Sequence, residues 1–122
     1  MHITLYSFGY KHGPTEADTV LDVRFLPNPY YVPELKDGTG LEKRIAEYVL
    51  DNRTARDFFV LLQPLLEAYI ENHHQAGRDS LKIAIGCTGG RHRSVAVTEY
   101  LRFILNNGVY DLTVSHRDID RE

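Results

Sequence analysis

The sequence has a single cysteine, Cys87, so no internal disulfide can form and a reducing cytoplasm is its natural compartment. It has no excess of positive charge: 14 Lys and Arg stand against 17 Asp and Glu, a formal net charge of −3. A generally basic coat for nucleic acid is thereby excluded, and only a local basic patch remains open. No apolar run approaches the ~20 residues needed to cross a bilayer, so no membrane association is expected. No targeting leader is expected, because Met1 is followed at once by the strand-like His2-Ile3-Thr4-Leu5-Tyr6. Repeats, low-complexity runs and interdomain linkers are absent too. What is there is 122 residues, 43% hydrophobic and 25% charged, the composition of one soluble globular domain over residues 1–122. A chain of that length buries enough core to fold without disulfides or a structural metal.

Strand and helix signals alternate along it. Residues 2–8 read as a strand that runs into Gly9, with Gly13-Pro14 as turn punctuation after it. Val20 to Phe25 reads as a second strand, and the segment from Pro27 to Pro33 as a rigid, extended loop. Thr39 is a candidate N-cap for a short helix over Leu41–Leu50, and Thr54 for a longer one. In the longer one Phe58, Leu61, Leu62, Leu65, Leu66, Tyr69 and Ile70 keep helical spacing, Pro64 is expected to kink or split it, and Gly77 ends it. Leu81 to Gly86 is the cleanest strand, His92 to Asn106 returns to helical spacing, and Tyr110 to Ser115 alternates as a last strand. The expectation is a small α/β domain with a mixed, partly parallel sheet flanked by helices.

The chemistry concentrates between the third strand and the third helix, in Gly86-Cys87-Thr88-Gly89-Gly90-Arg91-His92-Arg93-Ser94. Glycines let backbone N–H groups turn toward one point, and the helix N-terminus adds partial positive charge there. Arg93 can grip a phosphate with its planar fork, and Thr88, His92 and Ser94 offer further donors. The segment reads as an anion-binding loop. Its Cys-x5-Arg-Ser spacing also matches cysteine-dependent phosphatases, with Cys87 as nucleophile, Arg93 on the phosphate, and Asp22 or Asp18 as general acid. Gly86 stands where those enzymes usually carry histidine. Alternatively, Cys87 is a small apolar residue ending a buried strand.

Other residues have two readings each. His12 either converges on the same sheet end as Cys87 or is a solvated loop histidine. Arg24 is either a functional group at a strand end or half of an ion pair with Asp22. His73-His74 reads as exposed cations near a helix C-terminus, with no neighbours at metal-ligand spacing, so no metal site is expected. Tyr30 and Tyr31 form either a stacking surface or edge packing. Lys82, Arg91, Arg93 and Arg102 make the segment 82–102 locally basic.

Five blocks, in order, carry a resemblance: Ser7-Phe8-Gly9-Tyr10-Lys11-His12-Gly13, Asp22-Val23-Arg24-Phe25-Leu26-Pro27-Asn28-Pro29, Thr39-Gly40-Leu41, the 86–94 loop, and Ser115-His116-Arg117. Together they resemble the C-terminal domain of the RapZ family across nearly the whole chain. The resemblance implies an α/β domain that recognises small regulatory RNA, passes it to an endoribonuclease, and senses an amino-sugar phosphate, glucosamine-6-phosphate. It also implies that His12, Thr88, Gly89, Gly90, His92 and Arg93 form the anion pocket, and that the domain assembles as a homodimer. The family's N-terminal half carries a nucleotide-binding loop of the form G-x-x-x-x-G-K-[ST], which this sequence lacks, so nucleotide hydrolysis and a nucleotide cofactor are not carried over. RNA-binding members end in a basic tail, whereas this chain ends Arg117-Asp118-Ile119-Asp120-Arg121-Glu122, which lowers the expected RNA affinity. The chain is therefore expected to be a stand-alone relative or a piece of a longer protein.

The residues point first to a binding and regulatory domain for a phosphorylated small molecule, a sugar phosphate. Its expected ligands are His12, Arg24, Cys87, Thr88, Gly89, Gly90, Arg91, His92, Arg93 and Ser94. The rival enzyme is the phosphatase using Cys87, Arg93 and Asp22. A pure RNA module would need Arg91, Arg102 and Arg117 on one surface.

Overall fold

The computed structural model describes residues 1–121. Its sheet has four strands, β1 (His2–Gly9), β2 (Thr19–Asp22), β3 (Ser80–Cys87) and β4 (Asp111–His116), in the spatial order β2-β3-β1-β4. All three pairings are parallel. Three α-helices connect them: α1 (Lys43–Leu50), α2 (Arg53–Gln75) and α3 (Arg93–Leu105). The α/β domain expected from the alternating signals is the one found.

Strand alternation decides which face is covered. Ile3 and Leu5 of β1 and Leu81, Ile83 and Ile85 of β3 point to one side, where they are fully or almost fully buried. Helix α3 packs on β1, β3 and β4, helix α1 on α3, and α2 on α1. Val97, Leu101 and Leu105 of α3 and Phe59, Leu62, Leu66 and Ile70 of α2 close this core. Each fully buried aliphatic side chain there contributes about 1.5–3 kcal/mol. The opposite face carries Thr4, Tyr6, Lys82 and Thr113 at paired positions. At its upper end the chain after β1 folds over it, with the Tyr6 hydroxyl bonded to Thr15 Oγ1 and to the Glu16 carbonyl. Parallel sheets are usually covered on both faces, and here polar side chains and the segment after β1, whose Tyr10 packs on buried Phe8, stand in place of a second helical layer.

Several boundaries differ from the sequence expectation, each for a local reason. The second strand ends at Asp22 rather than Phe25, because Arg24 folds back on Asp22 with its backbone and side-chain N–H groups. Helix α1 starts at Lys43. Thr39 and Glu42 form a reciprocal turn before it, in which Glu42 Oε2 accepts from the Thr39 amide at 2.9 Å. The cap of α2 is Asn52, not Thr54: its side chain accepts from the Ala55 amide at 2.9 Å. Pro64 does not split α2, which runs unbroken from Arg53 to Gln75. The ring stands on the solvent face, where the freed carbonyl of exposed Val60 can bond to water. Among the described residues no helix is long and apolar enough to cross a membrane.

The parallel arrangement brings the carboxyl ends of all four strands, Gly9, Asp22, Cys87 and His116, to one edge. In open α/β sheets ligands bind beyond that edge. At this edge β1 and the loop after β3 touch backbone to backbone: a Cβ on Gly90 would lie 2.5 Å from the Gly9 nitrogen and 2.8 Å from the Phe8 carbonyl carbon. Gly90 also has φ +77°, in the left-handed region. Gly90→Ala is therefore expected to destabilise the domain by more than about 2 kcal/mol, measured by denaturant unfolding.

Candidate anion-binding site

The loop is shaped by what its neighbours leave no room for. Gly86 ends the buried part of β3 beneath two aromatic rings, where a Cβ would stand 2.5 Å from Phe8 Cζ and 2.7 Å from Tyr10 Cε2. Those rings pack edge to face at 4.8 Å, so a histidine in the place of Gly86 would displace them. Cys87 follows, with its side chain only 3% exposed. Its thiol donates to Ser94 Oγ at 3.1 Å, and its sulfur accepts from the Gly90 and Ser94 amides at 3.3 and 3.4 Å. Sulfur thus occupies the capping place of α3, whose N-cap residue His92 supplies no side-chain cap.

Arg93 sits in the first turn of α3 and is 6% exposed. One guanidinium nitrogen donates to the Arg24 carbonyl at 2.5 Å and to the Leu26 carbonyl at 3.5 Å, and the other to Thr88 Oγ1 at 3.3 Å. No carboxylate pairs with it among the described residues. A buried cation with neutral partners only is expensive, and an anion arriving beside it recovers that cost.

Arg93 opens on a cavity of about 530 Å³ that Cys87, Thr88, Gly89, Arg91 and His92 also line. Four of its lining residues escaped the sequence reading: Lys11, Asn28, Lys36 and Asp37. Lys11 had a signal, since it precedes His12 in a block already singled out. Lys36 and Asp37 had none, for they reach the cavity on an irregular stretch after Pro33. Tyr30 and Tyr31 line the same wall.

Not every expected ligand is at the cavity. His12 is not among its lining residues. Its Nε2 is buried without a partner. The Arg24 side chain turns away, pairing with Asp22 at 2.6 Å and lying 4.1 Å from the Tyr10 ring centroid. Gly90 and Ser94 support the loop from beneath. Of the three arginines considered for RNA, Arg91 donates to the Ile119 carbonyl, Arg102 pairs with Glu99, and Arg117 bonds to the Pro14 and Gly13 carbonyls and to Asp118. His73 packs against the Tyr69 ring, and no metal-competent cluster of three ligands exists among the described residues.

The acid–base state of the site is set by burial and pairing. Hydrogen bonds from Arg24 hold Asp22 below the usual carboxylate range, so it is ionised near neutral pH. Asp18 lies at the opposite sheet edge, bonded to the Lys82 amide and Arg78. His92 donates from Nε2 to the Lys36 carbonyl at 2.9 Å. Burial pushes its pKa down, carbonyl contacts with Lys36 and Gly38 oppose that, and Arg91 and Arg93 add repulsion.

The fold is a small α/β domain with a parallel sheet and a cation-lined cavity at the carboxyl ends of its strands. The family model for the RapZ C-terminal domain matches residues 1–120, and the chain belongs to that family. It is 47% identical over 121 residues to a protein of Limosilactobacillus fermentum named "Nucleotide-binding protein", covering 98% of this chain and 42% of that protein. Proteins of the same name from Lactiplantibacillus plantarum and Caldicellulosiruptor saccharolyticus are 49% and 48% identical, with 98% and 100% of this chain and 41% and 42% of theirs covered. The chain thus spans about two-fifths of the length of these relatives.

Because the folded state holds His92 neutral with a lowered pKa, its contribution to stability is complete above the unfolded value of about 6.5. It is lost as pH falls through that value toward the folded pKa, where the unfolded chain binds the extra proton. Denaturant unfolding between pH 7.5 and 5.5 is expected to show this loss. In His92→Gln, whose amide can still donate to the Lys36 carbonyl, the slope is expected to shrink by up to about one proton.

Proposed function

We propose that this domain captures a phosphorylated small molecule of the sugar-phosphate class, with glucosamine-6-phosphate as the first candidate, and serves as a ligand-sensing regulatory module. The observation that carries the reading is Arg93: a buried guanidinium without a carboxylate partner, opening on a cavity beside Thr88 and Gly89. Its fork is already aimed by the Arg24 and Leu26 carbonyls, so little ordering is required when an oxyanion arrives. Neutral His92 adds polarity without contesting the anion's charge balance. Family membership supports a regulatory role, and the name of the relatives, nucleotide-binding, is compatible with a phosphate-bearing ligand.

Binding has more support than turnover. A phosphatase needs a protonated acid to release the leaving alkoxide, and Asp22 is held as the carboxylate by Arg24. Capture of regulatory RNA and delivery to an endoribonuclease remain expectations of the family. The side chains of Arg102 and Arg117 are engaged within the fold and Arg91 lines the cavity itself, which gives the cavity the stronger claim. A homodimer is likewise carried over from the family.

Titration calorimetry tests the reading. Glucosamine-6-phosphate is expected to bind, with affinity reduced at least ~30-fold in Arg93→Ala, the loss of one charge-assisted contact or more. Since Arg93 also ties down the β2 end, exposed Lys11→Ala serves as a second variant, with a loss of about 3–10-fold. Cys87→Ser is expected to leave affinity within about threefold. Absence of binding to both glucosamine-6-phosphate and inorganic phosphate would overturn the proposal.

A further inference from the structure

Capture of one phosphate uses only part of the cavity. At the loop end stand Arg93, the Thr88 hydroxyl and Lys11, whose Nζ would be 4.0 Å from a Cβ placed on Gly89. Two more cations, Lys36 and Arg91, line the same space, and Asp37 is the one carboxylate among the lining residues. They flank His92 on the other side: its ring bonds to the Lys36 carbonyl, and Arg91 precedes it in the loop. Four cations against one carboxylate leave a surplus of three positive charges. A phosphate monoester brings about −1.5 to −2 near neutral pH, so one such group leaves roughly one or more of those charges unanswered. A second phosphoryl group supplies the remainder.

The wall opposite the loop is aromatic. Lys36 Nζ lies 4.7 Å from the Tyr30 ring centroid, and the edge of Tyr31 meets Tyr30 at 5.5 Å with an interplanar angle of 88°. Tyr30 is thereby held on two sides, whereas Tyr31 is 78% exposed and offers a free ring face at the cavity mouth. Exposed aromatic faces beside phosphate-binding cations stack planar bases. A hexose can meet such a ring only through its C–H groups, whereas a planar base covers it face to face.

We propose that the cavity is a nucleoside-diphosphate site, with one phosphoryl group at Arg93 and Lys11, the second at Lys36 and Arg91, and the base on Tyr31. The assignment rests on the phosphate-capture reading and enlarges the ligand from one phosphoryl group to two. It involves binding alone, with no bond made or broken.

Calorimetry on the 122-residue chain with orthophosphate, pyrophosphate, UDP and ADP separates the parts. Pyrophosphate is expected to bind at least ~tenfold tighter than orthophosphate, about the yield of one added charge-assisted contact. Lys36→Met is expected to erase most of that gain and to leave orthophosphate affinity within about twofold. Arg91→Met serves as the second variant, checked for native unfolding because its Nε holds the Ile119 carbonyl. At least one of the two nucleotides is expected to bind about fivefold or more tighter than pyrophosphate, and Tyr31→Ala to remove that difference. Pyrophosphate binding no tighter than orthophosphate, or both nucleotides no tighter than pyrophosphate, overturns the assignment. If orthophosphate still binds through Arg93 in that case, the phosphate-capture reading stands without it. If no phosphate compound binds, both fall together.

Discussion

The end of β1 lies directly against the loop after β3, main chain on main chain, and the shape of the site depends on that contact. A Cβ at Gly9 would stand 2.4 Å from the Gly89 carbonyl carbon, and one at Gly90 2.5 Å from the Gly9 nitrogen, so side chains are excluded at Gly9 and Gly90. The Gly9 amide, turned out of the ladder, donates to Asp118 Oδ2 at 2.8 Å. Asp118 is fully buried, and burial works to raise its pKa. Arg117 and the Gly9 amide outweigh that and keep it a carboxylate, with Arg121 at 3.2 Å as a further cation. A continuous set of contacts therefore runs from the segment after β4, through the end of β1, to the loop and the first turn of α3. Beside it His116 bridges Ser7 Oγ and Glu99, each at 2.7 Å, and fastens β4 to the same two elements.

This rigidity supports the proposed capture of an anion. An anion loop made of flexible glycines alone would lose entropy on closing around a ligand. Here Gly9 and Gly90 are locked against each other, Arg93 is fixed by two carbonyls and a hydroxyl, and the Lys36 backbone is held by a neutral imidazole. The remaining adjustable parts are the long side chains of Lys11, Lys36 and Arg91. Such a cavity presents a fixed floor and a movable rim, which suits a ligand with one anchored phosphate and a variable remainder.

Much of the architecture was legible in the residues. Ile3 and Leu5 alternate with polar neighbours, Leu81 to Gly86 is an apolar run broken only by Lys82, and the loop after it has its glycines where the backbone turns. The ends of elements were less legible because they are decided by single side chains: Arg24 closing on Asp22 stops β2, and Asn52 rather than nearby Thr54 reaches the α2 amide. At the site, Arg93, Thr88 and the loop glycines could be read, but the neighbour of Lys11 was chosen instead of Lys11. Residues Tyr10–His12 form a 3-10 turn, which rotates each successive side chain by about 120°, so adjacent residues point to different surroundings. Lys36 and Asp37 could not be read at all, since no periodicity governs the stretch that delivers them. The solvent-side proline of α2 shows the reverse case, in which a strong local breaker is overruled by a 23-residue helix that buries Ala55, Phe59, Leu62, Leu66 and Ile70.

The sulfur that caps α3 has a consequence for how motion of the loop can be followed. Cys87 is the one thiol in the chain, 3% exposed, and held by Ser94 and two loop amides. Its sulfur borders the cavity but is almost wholly covered, so alkylating reagents react with it as those contacts part. Its labelling rate is consequently a clock for loop opening, readable by mass in the unmodified protein. A molecule seated over Thr88 and Gly89 would slow that clock in proportion to its occupancy.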